Sequence, residues 1–549
     1  MGRAKAAARV SAVVVGVVLG VALLALAPSS PGGAELLPVV TNAVQVTANP
    51  DAVRAHSSPQ IAVNPTNGEL VVVEADVRGD HRCDIHISAD AGRTWFPGGD
   101  PMMEPFTECS RVVINGPYAT LTFDRDGVLY LAFRASDPKW SNPHPPPSIP
   151  RHVFLARSKN GGRSFETTMV YQGPLQAAES AGELPQSGHN DRAMVAVDAA
   201  DPSHVYVSWY QPGWGGVKSL SLVAVSTDGG RTFGEPTDIS GERGGTQPRL
   251  AVGPDGTLHA AFAASTFGVP PAAAGDPPHP RPLVYRRSTD HGQTWSEPHD
   301  IDPGTGTNRK WLLAADPNSD ALYVVWYGNP QTDERGIGVD WHVFLRASTD
   351  GGDTWSDAVV VNEQVASPAG VKRYDPGLAI APNGRVDIAW FDFRNSPAPE
   401  GLDHNEFNAG GFQDVYYTWS TDNGRTFHHP GVRVTDRIID RRIGVWSNNI
   451  HSHTSVGIAS TDDAAFIAWQ DTRNGDAETD AEDVYFASVG LNGRAPAPDR
   501  GAPALPLWTV GLAGLVLGMG AAMIAAWLLV RRNRPRRSTH SENVGTGII

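Results

Sequence analysis

The sequence predicts an all-β chain folded as a propeller of seven four-stranded blades, followed by one C-terminal transmembrane helix. Three observations carry this. An eight-residue pattern, Ser-x-Asp-x-Gly-x-Thr followed by Trp or Phe, recurs at 88–95, 226–233, 288–295, 348–355 and 420–427, with a variant at 158–165 that has Asn160 for the Asp. Seven pairs of apolar strands joined by short turns begin near Gln60, Ala119, Ala193, Pro248, Trp311, Gly377 and Val456. An unbroken apolar run fills 507–530. An Asp that accepts backbone N–H bonds and a Gly free to take φ > 0 together make a tight hairpin turn. Repetition of such units in a helix-poor chain favours radial blades over a solenoid.

Taken in order, residues 1–27 read as a signal peptide. Arg3, Lys5 and Arg9 precede an apolar core at 10–26, and Ala25-Leu26-Ala27 offers a cleavage site; an uncleaved anchor is the alternative. A linker at 28–43 leads into the propeller at 44–489. Val44 to Thr47 resembles a fourth strand, and the seventh unit, ending at Ser488, lacks one. The N-terminal strand is therefore expected to complete the last blade and remove two exposed edges. A six-bladed ring is the alternative. Cys83 and Cys109, the two cysteines of the chain, fall on one propeller face and are expected to form a disulfide. In the chain-entropy account this would stabilise the fold by roughly 3–4 kcal/mol. Trp209, Trp326, Trp390 and Trp469 occupy equivalent positions, expected to pack between blades. Trp390-x-Asp392-x-Arg394 and Trp469-x-Asp471-x-Arg473 read as internal ion pairs, since residues two apart on an extended segment share a face.

Asp476, Glu478, Asp480, Glu482 and Asp483 form an acidic run with the oxygen ligands calcium takes, without EF-hand spacing; a solvated loop is the alternative. No other cofactor is expected. After a Pro/Ala-rich linker at 490–506, the run at 507–530 is long enough to cross a bilayer with some tilt. Arg531, Arg532, Arg534, Arg536 and Arg537 follow in the 531–549 tail. By the positive-inside rule the tail is cytoplasmic and the propeller extracellular, a single-pass cell-membrane protein. The formal charge is −15; the leader (+3) and the tail (+4) leave −22 on the remainder. Such an acidic part argues against nucleic acid as a partner, which needs Lys and Arg against its phosphates. It gives no long-range steering of an anionic sugar, so a glycan or other cell-surface ligand of that kind needs a local basic pocket.

In an up-and-down blade the residues just before each first strand reach the channel mouth, opposite the repeated octapeptide turns. Here they are charged or polar: His56, His189-Asn190-Asp191-Arg192, Gln247 with Arg249, Arg309-Lys310, Arg373-Tyr374-Asp375, His451 and His453. These are the candidate ligand-binding residues, with Asp191, His189, Lys310, Asp375, His451 and His453 flanking Arg192, Arg309 and Arg373.

The octapeptide resembles the Asp-box (BNR) repeat of sialidases, over roughly 44–489. The resemblance implies hydrolysis of terminal sialic acids by three arginines clamping a carboxylate, a Tyr nucleophile with a Glu base, and an Asp acid. A guanidinium fork matches a carboxylate bidentately. By that likeness Arg192, Arg309 and Arg373 are the clamp, Tyr374 the nucleophile, and Asp76 or Asp80 the acid. Ser57 stands where the family has its first Arg, and Tyr374 is one residue out of step. Two functions stay open: an exo-glycosidase on terminal acidic sugars, and a non-catalytic glycan- or protein-binding propeller.

Overall fold

The computed structural model describes 37–496 apart from 52–53, 78–81, 107–108, 110–118, 137–150, 174–189, 214–217, 266–281, 303–308, 329–340, 364–372, 397–410 and 445–455. Its strands form seven antiparallel sheets. Blade 1 is His56–Val63, Leu70–Asp76, Cys83–Ser88 and Phe96–Pro97, and the next five blades repeat that plan in chain order from the channel outward. First strands of successive blades neighbour one another all the way round, including Gly457–Thr461 beside His56–Val63. The ring is closed with seven blades.

Each second strand is buried on both faces, as in Leu70–Asp76 and Leu322–Gly328. That is why these segments read as continuous apolar runs rather than as alternation. Seven buried clusters fill the seven seams between blades. Trp209, Trp326, Trp390 and Trp469 are buried, each in a different seam.

Closure follows the expected route. Val44 pairs with Phe486 and Gln45 with Tyr485, and the Val46 N–H donates to the Val484 carbonyl at 2.8 Å. A further strand, Val39–Val40, pairs with Gly490 and Val489, so ordered structure begins inside the segment expected to be linker. Arg54 braces the seam by donating to Asp483 at 2.8 Å, where Thr47 also donates, at 3.1 Å.

The octapeptide turns share one hydrogen-bond pattern. In blade 1 the Gly92 N–H donates to Ser88 Oγ at 2.8 Å, while Thr94 gives its N–H and hydroxyl to the two Asp90 oxygens at 2.9 and 2.7 Å. Asn160 reproduces the pattern at 158–165, its amide donating to Ser164 Oγ at 2.8 Å. The closing aromatic wedges against the neighbouring blade, as Trp95 does edge-on to Phe486.

Cys83 and Cys109 are disulfide-bonded, with Cα atoms 5.8 Å apart. Among the described residues no helix is long and apolar enough to cross a membrane. The leader at 1–27 and the run at 507–530 lie outside those residues.

Candidate functional site

The first strands carry a shared distortion near the channel mouth. Ser58, Arg192, Gln247, Lys310 and Asp375, each the second or third residue of the first strand in blades 1, 3, 4, 5 and 6, all have positive φ, between 38° and 58°. At each the pairing with the second strand slips, for example between Asp191 and Met194 and between Tyr374 and Gly377. A left-handed backbone at a residue with a side chain costs roughly 1–3 kcal/mol and persists where the surroundings enforce it. Two residues further on, Gln60, Met194, Arg249, Leu312 and Gly377, with Thr120 of blade 2, line a central cavity of about 160 Å³.

Cations gather on one side of this mouth. Arg192, Arg249 and Lys310, from blades 3, 4 and 5, are all buried. Arg192 donates to the Gln247 amide oxygen, and Arg249 Nε donates to the Trp311 carbonyl at 3.0 Å. Lys310 Nζ stands 3.6 Å from Asp375 Oδ1. Burial pushes Lys310 down to about 8; Asp375 opposes this, while the charges of Arg249 and Arg192 add to it. Like charges that perturb one another in a buried setting favour an anion among them. The arc continues into blade 2, where Arg134 Nε lies 3.1 Å from Asp191 Oδ1 and Tyr210 donates to Asp191 Oδ2 at 3.2 Å. Burial pushes Tyr210 up to about 12, which Asp191 reinforces and the charges of Arg192 and Arg134 oppose. Buried Arg151 is held below the usual arginine range by burial and by Arg134.

The structure brings together Arg192, Lys310, Asp375 and Asp191 of the expected set. Arg373 is buried, its Nε 3.3 Å from Asp392 Oδ2 in its own blade and its Nη1 donating to the Trp341 carbonyl of blade 5 at 3.4 Å. Arg309 opens the blade 5 strand opposite Tyr327. Tyr374 packs into the seam of blades 6 and 7, stacked on Phe391 and Phe393, with the Arg441 guanidinium 5.0 Å from its ring centre. Its hydroxyl donates to the Gln413 amide oxygen, and burial pushes its pKa up, the reverse of an activated nucleophile. Asp76 is buried and accepts the Ala55 N–H at 3.0 Å. Asp80, His189, His451 and His453 lie outside the described residues.

Opposite the cations, blade 1 carries a buried carboxylate network. Glu74 meets His56 Nδ1 at 3.0 Å and His86 Nε2 at 3.2 Å. The two Trp-x-Asp-x-Arg motifs are braces: each indole N–H donates to its Asp at 3.0 Å, and Arg394 and Arg473 donate to the same oxygens at 2.6 and 2.7 Å. In the acidic run, Asp483 holds Arg54, and Asp476 accepts the N–H groups of Glu478 and Thr479. Sequence reasoning missed Arg134 and Arg151. They sit at the end of one strand and the start of the next, positions that reach the mouth as surely as the residues before first strands.

The BNR/Asp-box repeat family matches residues 286–297, the blade 4 turn. Over 199 residues the chain is 27% identical to a sialidase of Micromonospora viridifaciens, spanning 33% of this chain and 28% of that protein. Solved structures of similar fold include the phage phi92 endosialidase, at 11% identity and TM-score 0.44 over 85% of this chain and 71% of that one. An ulvan lyase aligns at 11% identity and TM-score 0.46 over 82% and 96%. A Penicillium chrysogenum α-L-arabinanase aligns at 13% and 0.41 over 64% and 94%. Repeat, ring and sequence likeness agree: this chain is a seven-bladed Asp-box β-propeller that resembles sialidases.

Proposed function

We propose that the propeller takes the carboxylate of a terminal acidic sugar at its channel mouth, against Arg192, Arg249 and Lys310. The observation that carries this reading is the meeting of three buried cations from three consecutive blades, two of them, Arg192 and Lys310, on left-handed backbone, beside an open cavity. The apolar run at 507–530 and the arginines after it support presentation of this site outside a membrane, on a single-pass anchor.

Hydrolysis is the second reading, favoured by the sialidase relative. A phenol nucleophile needs a base beside it, and Tyr374 has an amide, Gln413, with aromatic rings around it. If this tyrosine attacks, it must leave that packing when substrate binds. The test is release of fluorophore from a fluorogenic sialoside by the purified full-length chain, with Tyr374→Phe and Lys310→Met. For the binding reading we expect no turnover. Turnover lost on Tyr374→Phe would establish the enzyme instead. Turnover unchanged by Lys310→Met would remove the cationic arc from the site.

A further inference from the structure

On the face away from the channel mouth, blades 3 and 4 meet at two histidines. His204 precedes the second strand of blade 3, and His291 sits inside the Asp-box turn of blade 4 with φ at 57°. Their rings stack with centres 3.9 Å apart and 13° between planes. Asp198, buried, immediately follows the first strand of blade 3. One ligand atom from each of Asp198, His204 and His291 lies within 4.8 Å of the other two.

We propose that Asp198, His204 and His291 form a binding site for a borderline first-row dication, zinc above all, clamped across the seam of blades 3 and 4. Two histidines and one carboxylate are a common three-ligand zinc set, with water completing the tetrahedron. Bonds of about 2.1 Å put tetrahedral ligands about 3.4 Å apart, so the ligand atoms must close up by an ångström or so and the stacked rings must tilt apart for their in-plane lone pairs to meet one ion.

The second neighbours of the histidines are already in place. His204 Nδ1 lies 3.1 Å from the Asp201 carboxylate and His291 Nδ1 lies 3.1 Å from the Tyr206 hydroxyl. Each pairing occupies Nδ1 and presents Nε2, the arrangement that orients histidine ligands in metal sites. Both histidines are only partly buried, so an ion can enter from solvent.

Comparison among the blades of this chain shows what is special about the seam. In blade 2 the tyrosine equivalent to Tyr206, Tyr130, donates to the second oxygen of Asp124, at 3.2 Å. In blade 5 the Ser319 hydroxyl donates to the matching oxygen of Asp316, at 2.8 Å, and Tyr323 turns to Asn423, which occupies the place of His291. In blade 3 the Asp198 Oδ1 accepts the Ala200 and Asp201 N–H groups, while Tyr206 is drawn away to His291 and Asp201 replaces the serine. Oδ2 therefore faces the histidines with neither of those partners. Where blade 3 has His204, blade 5 has Ala321.

The test is equilibrium dialysis of the purified, chelator-stripped full-length chain against zinc chloride, beside the double variant His204→Ala/His291→Asn. Its new residues are those the chain uses at the corresponding places in blades 5 and 6. We expect the unmodified chain to bind one more zinc ion per molecule than the variant. Asp201→Ala, which touches no ligand atom of the ion, should weaken that binding about tenfold. Equal stoichiometry and affinity in the unmodified chain and the double variant would overturn the site. Should the double variant fail to fold, unchanged zinc affinity in Asp201→Ala, an exposed position, would overturn it equally.

Discussion

Glu74 is buried yet holds its charge. Burial by itself would push its carboxyl up, but the charge of His56 and hydrogen bonds from His56 and His86 outweigh that and hold it at about 2. His56 is the mirror case: burial presses it toward neutrality, and the Glu74 carboxylate lifts it to about 9. A raised histidine contributes stability that is complete below about 6.5 and lost as pH rises through about 9. A depressed carboxyl contributes above about 4.5 and loses its contribution as pH falls through about 2. The pair therefore stabilises fully between those two ordinary values. Glu74→Gln should cost roughly 3 kcal/mol at pH 6, since it leaves a buried imidazolium uncompensated, and should flatten the pH dependence on both sides. Urea unfolding at pH 3, 6 and 9 checks this; parallel profiles for the two proteins would contradict it. None of this pairing was legible beforehand, because His56 and Glu74 are brought together by strand register rather than by spacing.

At the scale of the element, the Asp-box turn is where local chemistry and long-range packing meet. Ser88, Asp90 and Thr94 bond within eight residues, so the turn could be read directly from the sequence. What could not be read is that Gly92 is required twice over. Its φ of 85° belongs to glycine, and a Cβ there would overlap the Phe486 ring of blade 7. Gly92→Ala should destabilise by roughly 3 kcal/mol through backbone strain and overpacking. Thermal unfolding reads the loss; a melting temperature unchanged from the parent would show that the ring yields. The first strands tell the opposite story. Their apolar halves, such as Leu250 to Val252, were legible, whereas the bulge that turns Arg192, Gln247, Lys310 and Asp375 left-handed leaves no periodic mark. A one-residue slip in pairing reverses which face a side chain takes. That is why Tyr374, expected at the mouth, packs into a seam while its neighbour Asp375 meets Lys310.

Across the whole molecule the ring is closed by the chain's own beginning. Blade 7 borrows Val39–Val40 and Val44–Gln45, so its outer strands arrive more than four hundred residues ahead of their partners. The seven-blade count and this closure were legible because a strand was missing at one end and spare at the other. The site was legible only as a set of positions. Which cations converge depends on the sum of blade rotations, and that brought Arg249 and Lys310 together while Arg373 pairs with Asp392. The same geometry sets cations along blades 2 to 5 against the Glu74 network in blade 1. The net charge of the chain, −15, hides this local reversal. An anion is drawn to such a pocket only at short range, since salt screens fields beyond about 8–10 Å. The most direct test is equilibrium binding of the α-methyl glycoside of N-acetylneuraminic acid to the full-length chain, compared with its neutral methyl ester. The cationic arc predicts that the acid binds at least tenfold more tightly than the ester, and that Lys310→Met abolishes the difference. Equal binding of acid and ester by the unmodified chain would contradict it.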